Sequence, residues 1–244
     1  MNKEQKAILW GLVIGDGHVS YRTRYKDGKY RYEQAELIIG HSVKQRDYAE
    51  HKADLCHKVF GGKRPSVKDV SYYNKTTDKT YSGVRFAKTN PTLRLIHKEL
   101  YVNKRKRLTR EILNECNDLT LALWYMDDGT ILFNKNKDGE ITSLNFRICT
   151  QFETQEEADI VLDWLSNKFG IEAKKFISKG KFDIGGATSA ALLLVSVIQQ
   201  HVIPSMAYKI LPAAQFVIRK SARHPRFEVD EDIVRTVGNS NQQK

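Results

Sequence analysis

The chain has 244 residues, of which 41% are hydrophobic and 28% are charged, as is typical of a soluble globular protein with one large or two small domains. No apolar run reaches the roughly 18–20 residues that a membrane span requires, and the N-terminus lacks a signal-peptide layout. The three cysteines are far apart in the sequence, which argues against a disulfide framework or a zinc site. We therefore expect a reduced, soluble, intracellular protein of the cytoplasm or of an organelle matrix.

The net charge of +11 favours a polyanionic partner such as nucleic acid. The excess lies in one half of the chain: residues 1–118 carry 25 Lys and Arg against 14 Asp and Glu, whereas 119–244 carry 15 of each kind. The first half should therefore supply more of the salt-dependent affinity for such a partner.

In chain order, the first half predicts a helix, two strands, a helix, two strands and a helix. The first helix is fully apolar in its second part, and Gly17 stops it. An Asp-Gly turn joins the first two strands, and Gly61-Gly62 close the second helix. A basic run, 104–107, and a short helical stretch to Cys116 follow. The predicted ranges are a helix over 3–15, strands over 19–25 and 30–39, a helix over 42–60, strands over 64–73 and 80–88, and a helix from about residue 91.

The second half repeats this order, so the sequence contains an internal duplication with a period of about 110 residues. Here Thr154 and Glu157 predict a capping box. The expected fold is α+β: two αββαββα lobes related by pseudo-two-fold symmetry, with an N-terminal lobe at 1–118, a C-terminal lobe at 119–220 and a tail at 221–244. The predicted ranges are an apolar helix over 119–128, strands over 131–135 and 143–151, a helix over 154–169, strands over 172–178 and 181–184, and helices over 188–202 and 213–220.

One short stretch occurs once in each half: an apolar helix that ends in a carboxylate followed by glycine. The two copies are Leu9–Gly17 and Leu121–Gly129, and their acids, Asp16 and Asp128, are 112 positions apart. An acid at a helix C-terminus faces the negative end of the macrodipole, and two such acids close together repel each other. A divalent cation relieves both problems because hard cations prefer carboxylate oxygens. Paired acids between basic lobes therefore suggest metal-assisted hydrolysis of a phosphodiester.

These two stretches, and the repeat order around them, resemble the LAGLIDADG motifs of single-chain, two-motif homing endonucleases. The similarity covers roughly residues 5–220, although the namesake pattern differs at Gly15 and Leu123. The resemblance implies a monomeric, site-specific double-strand DNA endonuclease that recognises a long asymmetric target and promotes the mobility of an intron or similar element. It also implies cleavage across the minor groove with short 3′ overhangs, Mg²⁺ as cofactor with Mn²⁺ as a substitute, and motif helices packed where the lobes meet.

The same resemblance implies a set of catalytic and metal-binding residues. Asp16 and Asp128 match the family's metal-binding acids, and Gly15 and Asp127 stand next to them as further candidates for metal contact. The family also has a basic residue after the last helix of each lobe, which could polarise the attacking water or neutralise charge on the phosphate. The matching positions are Lys106 and Lys209, and in the basic run Lys104 or Arg105 could replace Lys106.

The resemblance further implies that the hairpins form an antiparallel β saddle in the major groove of DNA. Residues of one parity along each strand would then face the DNA, and those of the other parity would pack under the helices. In the strand 143–151 the buried parity is Leu144, Phe146 and Ile148. The candidate DNA contacts are Arg22, Arg24, Gln34, Lys68, Arg85, Lys104, Arg105, Lys135, Asn145, Arg147, Gln151 and Lys181.

Two other functions fit the same scaffold. An intron maturase would bind its group I intron RNA and assist splicing, and some chains combine this with DNA cleavage. A non-catalytic DNA-binding regulator would be favoured by the loss of either motif acid. Because both Asp16 and Asp128 are present, the endonuclease is the preferred interpretation.

Overall fold

The computed structural model describes residues 1–27 and 29–220, without the side chains of 22–26, 29–33 and 219–220. The predicted tail, 221–244, lies outside the described residues. The chain divides into two compact units, one ending at Arg107 and the other beginning at Leu108. Within the described part, no helix is both long enough and apolar enough to cross a membrane.

The first unit has the predicted αββαββα order, followed by a small hairpin. Its four long strands form one antiparallel sheet in the order β1-β2-β4-β3. Helix α1 begins with a capping box between Asn2 and Gln5, and all its residues from Ala7 onward are buried. The elements are α1 Lys3–Ile14, β1 His18–Lys26, β2 Lys29–Ser42, α2 Arg46–Phe60, β3 Lys68–Asn74, β4 Lys79–Thr89, α3 Leu93–Leu100, β5 Tyr101–Val102 and β6 Arg105–Lys106.

The second unit repeats the architecture after one additional short helix. Its four strands form an antiparallel sheet in the order β7-β8-β10-β9, which matches the order in the first unit. Short 3-10 helices at Val43–Gln45, Gln199–His201 and Pro204–Lys209 complete the two units. The elements are α4 Arg110–Glu115, α5 Asp118–Asp128, β7 Gly129–Lys135, β8 Ile141–Phe152, α6 Gln155–Phe169, β9 Lys174–Ser178, β10 Lys181–Gly186, α7 Thr188–Ile198 and α8 Leu211–Lys220.

The duplicated αββαββα fold predicted from the sequence is confirmed. The predicted alternation along β8 is also present, since Leu144, Phe146 and Ile148 are buried. Thr154 accepts a hydrogen bond from the backbone of Glu157 and completes the predicted capping box of α6.

The units divide before α4, whereas the sequence analysis places the lobe boundary after residue 118. Helix α4 belongs with the second unit because it packs on α6, where Arg110 Nη2 donates to Asp163 Oδ2 at 2.7 Å.

The basic run 104–107 forms part of a small hairpin. Arg105 and Lys106 form β6, which pairs with Val102 and Tyr101 of β5. The turn between these strands has two consecutive residues with positive φ, Asn103 at 51° and Lys104 at 65°, which is the geometry of a two-residue type I′ hairpin. Neighbouring side chains of a strand point to opposite faces, so the cations of this run have different environments.

Candidate active site

The first motif places Asp16 just beyond the C-terminus of α1. Its neighbours Gly15 and Gly17 are buried, whereas the Asp16 side chain is 43% exposed. A Cβ atom on Gly17 would lie 1.9 Å from the carbonyl oxygen of Leu12. Only glycine therefore lets the chain turn this tightly against the helix end, and the turn leaves the carboxylate accessible.

In the first unit, Lys106 donates hydrogen bonds to backbone carbonyl oxygens at the C-terminal end of α1. Its Nζ donates to the carbonyl oxygen of Ile14 at 3.2 Å and to that of Gly15. The last carbonyls of a helix have no partner within the helix and carry the negative end of its dipole. An ammonium group here offsets the dipole that would otherwise disfavour the carboxylate of Asp16. In the same run, Lys104 and Arg105 are exposed, so among these cations Lys106 has the predicted location beside the motif.

His41 also lies at this site, although no motif in the sequence indicates it. Its Nδ1 lies 3.4 Å from Oδ2 of Asp16, and its side chain is only 2% exposed. The ring packs against Tyr48 of α2 with 4.9 Å between ring centroids. No motif spacing connects positions 16 and 41. The predicted hairpin of β1 and β2 was the feature that could have indicated this contact. The two strands fold back at the turn near Asp27 and pair His18 with Ile38. Residues just before His18 therefore lie close to residues just after Ile38.

The second motif builds a similar local arrangement within the second unit. Asp128 is the last residue of α5 and is half-buried. A Cβ atom on Gly129 would lie 2.1 Å from Cδ2 of Tyr125, so this glycine also permits a close approach. Lys209 Nζ donates to the carbonyl oxygens of Asp127 and Gly129, both at 3.0 Å. The oxygens on either side of Asp128 are therefore held by one ammonium group.

Lys209 is itself positioned by the motif helix. The hydroxyl of Tyr125 donates to the backbone carbonyl oxygen of Lys209 at 3.1 Å. Tyr125 is buried, and burial raises the pKa of its hydroxyl well above the usual range. The group therefore stays neutral and keeps its proton for this hydrogen bond.

Most of the predicted DNA contacts lie on strands of the two four-stranded sheets, whereas Lys104 and Arg105 lie in the β5–β6 hairpin. Lys68 and Arg85 are exposed and are paired across β3 and β4, so their side chains share one face. Gln34 donates to Thr89 Oγ1 at 3.1 Å. The side chains of Arg22 and Arg24 lie outside the described residues. Other predicted contacts that are exposed are Lys104, Arg105, Lys135, Asn145 and Gln151, and Lys181 is half-buried.

Arg147 differs from the other predicted contacts because an acid of its own unit holds it. Its Nε and Nη2 donate to Oδ2 of the fully buried Asp183 at 3.2 and 2.5 Å, and Nη2 also donates to Ser178 Oγ at 2.6 Å. The hydrogen bond that Arg147 donates to Asp183, together with the negative charge of Asp183, raises the pKa of the guanidinium. Gln151 N donates to the other carboxylate oxygen at 3.0 Å. Arg147 thus presents a fixed guanidinium whose charge is largely offset.

A cleft of about 780 Å³ in the first unit connects the motif acid with the sheet. Its lining includes Asp16, His41 and Arg85, together with the exposed tyrosines Tyr72 and Tyr81. The two tyrosine rings stack with 5.5 Å between centroids. An acidic group at one end and a cation on the sheet give this cleft the polarity needed to hold a phosphate next to a metal ion.

Comparison with known proteins finds relatives that match most of this chain. Residues 6–191 match the LAGLIDADG DNA endonuclease family. The protein named probable intron-encoded endonuclease 1 of Wickerhamomyces canadensis is 26% identical over 215 residues, which are 86% of this chain and 85% of that protein. The protein RecA of Mycolicibacterium chitae is 26% identical over 218 residues, which are 87% of this chain. The aligned part is 47% of that protein, so the chain spans about half the length of the RecA relatives that it matches.

Among solved structures, the homing endonuclease I-WcaI bound to its DNA recognition sequence is similar with a TM-score of 0.67. The alignment covers 86% of this chain and 87% of that one, with 21% identity. At this level of identity the likeness concerns the fold. The two helix–Asp–Gly segments described above both fall within the matched range 6–191.

Proposed function

Since this chain belongs to the LAGLIDADG DNA endonuclease family, we propose that it is a site-specific endonuclease that hydrolyses both strands of double-stranded DNA. The observation that carries the proposal is the repeated arrangement of motif helix, acid and lysine. In each unit an aspartate follows or ends a buried helix, and a lysine bonds the carbonyls beside it. The αββαββα order around the two copies repeats as well, which argues against a chance local similarity.

The acids are the proposed metal ligands. Asp16 is accessible and lines a cleft, and its carboxylate, like that of Asp128, offers the oxygen ligands that Mg²⁺ and Mn²⁺ prefer. Gly15 and Asp127 contribute to the site through their backbone oxygens, which the lysines already bond. Bound at these acids, a divalent ion would lower the pKa of a water molecule and stabilise the leaving oxygen.

The lysines have two proposed tasks. By bonding the helix-end carbonyls, Lys106 and Lys209 remove the negative potential that would otherwise raise the cost of an ionised aspartate there. The positive charge of each ammonium group also suits it to neutralise charge that develops on a phosphate oxygen. Both side chains are half-buried, so this electrostatic effect is stronger than it would be in bulk water.

The exposed faces of the two sheets are the proposed DNA-reading surfaces. Arg85 in the first unit and Asn145 in the second project from strands whose opposite parity is buried. The exposed Lys68 and Lys135 lie on the neighbouring strands β3 and β7. A β-ribbon fits the major groove, where each base pair shows a distinct pattern of donors and acceptors. Two non-identical sheets imply a long asymmetric target, read by one copy of the chain.

Cleavage of a supercoiled plasmid tests the proposal. The plasmid carries the uninterrupted form of the gene that hosts this reading frame, and the protein is added with Mg²⁺, Mn²⁺ or EDTA. We expect linear product with either metal, none with EDTA, and short 3′ overhangs on sequencing of the ends. Intact plasmid under all conditions, combined with tight binding of intron RNA, would instead favour a maturase.

A further inference from the structure

We propose that His41 supplies a nitrogen ligand to the divalent ion held by Asp16, which gives the first unit a preference for Co²⁺ over Mg²⁺ that the second unit lacks. The inference rests on the proposed function, since it assumes that Asp16 binds a metal ion. It concerns a residue outside both motifs.

The distance between the two donor atoms fits a shared ion. Nδ1 of His41 and Oδ2 of Asp16 are 3.4 Å apart, which is long for a direct N–H···O hydrogen bond. Two ligand atoms at about 2.1 Å from one ion are separated by roughly 3.0 Å at a right angle and by roughly 3.4 Å at the tetrahedral angle. The observed separation therefore lies in the range expected for two atoms that bind one ion.

The imidazole is held in place before any ion arrives. His41 is 2% exposed, its backbone pairs with Val84 of β4, and its ring packs against the fully buried Tyr48. Lys52 Nζ lies 4.6 Å from the centroid of the same tyrosine ring and fixes that ring in turn. A ligand with so little freedom loses little conformational entropy on binding. His41 and Asp16 also line the same cleft, through which an ion can enter.

The second unit has a different residue at the corresponding place. In the second unit, the pairing of β7 with β8 places Gly129 opposite Ile148. In the first unit, His18 pairs with Ile38, and extending this antiparallel register by one residue places Gly17 opposite Ile39. Two residues beyond these isoleucines lie His41 and Thr150. The hydroxyl of Thr150 donates to the carbonyl oxygen of Phe182 at 2.8 Å. The second unit therefore offers no imidazole at this position.

This difference has a chemical consequence. Sites built from carboxylates, carbonyls and water suit Mg²⁺, whereas an imidazole ligand raises the affinity for later transition metals such as Co²⁺ and Ni²⁺. The ion at Asp16 would thus have an imidazole nitrogen among its ligands, and Thr150 supplies no such nitrogen to the ion at Asp128.

Electron spin-echo envelope modulation with Mn²⁺ bound to the full-length protein detects a nitrogen ligand directly. We expect ¹⁴N modulation in the wild type and in Asp128→Asn, and its loss in His41→Gln. His18→Gln is the matched control, because His18 is near Asp16 in sequence and its Nδ1 lies 3.3 Å from Tyr101 Oη; this variant should keep the modulation. By calorimetric titration, His41→Gln should weaken Co²⁺ binding by roughly 10–100-fold and Mg²⁺ binding only a few-fold.

The possible failures are distinguishable. If Asp16→Asn weakens Mn²⁺ binding but the wild type shows no nitrogen modulation, His41 is not a ligand and the inference is wrong. If Mn²⁺ binding is unchanged in both Asp16→Asn and Asp128→Asn, the proposed function itself fails. Circular dichroism melting verifies that His41→Gln is folded. Should it not fold, ¹⁵N-histidine labelling of the wild type and of His18→Gln decides, because the modulation must then change to the ¹⁵N pattern in both.

Discussion

Replacing Lys209 by methionine removes the ammonium group that bonds the oxygens on both sides of Asp128 while keeping a side chain of similar length. Both hydrogen bonds, to the carbonyl oxygens of Asp127 and Gly129, are 3.0 Å long. The variant leaves the end of α5 without its positive partner. We expect a loss of both stability and cleavage.

The size of the stability loss follows from these contacts. A hydrogen bond to a charged donor contributes about 1.5–3 kcal/mol, and a cation at a helix C-terminus about 0.3–1 kcal/mol. Lys209 is half-buried, so water replaces part of what is lost, and the two bonds share one donor. The expected destabilisation is therefore about 2 kcal/mol. For a chain of this length that corresponds to a decrease in Tm of about 4–8 °C.

Urea unfolding and plasmid cleavage measure the two effects separately. Cleavage by Lys209→Met should decrease by about 10²–10³, the usual effect of removing one electrostatic donor from an active site. Tyr125→Phe is the matched variant: it loses the hydrogen bond to the Lys209 backbone but keeps the ammonium group. It should lose about 1 kcal/mol of stability and remain within a few-fold of wild-type cleavage. Wild-type stability and cleavage in Lys209→Met would refute this account of the lysine.

Three further outcomes are expected. Gly17→Ala should lower the free energy of unfolding by about 1–3 kcal/mol, measured by urea titration, because its Cβ atom would meet the Leu12 carbonyl oxygen at 1.9 Å; unchanged stability would contradict the close turn. A thiol reagent should label only Cys149 in the native protein, counted by mass spectrometry, since the other two cysteines are buried and burial raises the pKa of each to about 12. Arg85→Met should reduce the slope of log K against log salt for DNA binding by about 0.9 if it contacts a phosphate, and an unchanged slope would remove it from the interface.

The fold could be predicted from the sequence because the periodic patterns of its helices and strands are long and occur in both halves. The amphipathic and apolar helices, the capping box at Thr154 and the alternation along β8 all extend over enough residues for their period to be recognised. The Lys179-Gly180 turn was also predictable, and both residues have the positive φ of a type I′ hairpin, 53° and 76°. The duplication strengthened each prediction, because a helix or strand predicted in one half had a matching pattern in the other half.

The parts that were missed depend on pairing across the sheets. β5 and β6 have two residues each, too few for any period, and their turn requires a positive φ at Lys104 that its side chain does not suggest. His41 reaches Asp16 only through the register of a long hairpin. Arg147 was predicted as a DNA contact, and its ion pair with Asp183 could not be predicted because nothing in the sequence connects the two residues, which lie in different strands.

Separate measurement of DNA binding and DNA cleavage by Asp16→Asn and Asp128→Asn, singly and together, tests the central claim most directly. The substitution removes a carboxylate but preserves its shape, so the proposed metal ligand is lost and the DNA-reading sheets are left unchanged. We expect each single variant and the double variant to bind the target DNA with near wild-type affinity and to produce no linear plasmid with Mg²⁺. Linear product from the double variant would show that these acids do not hold the catalytic metal.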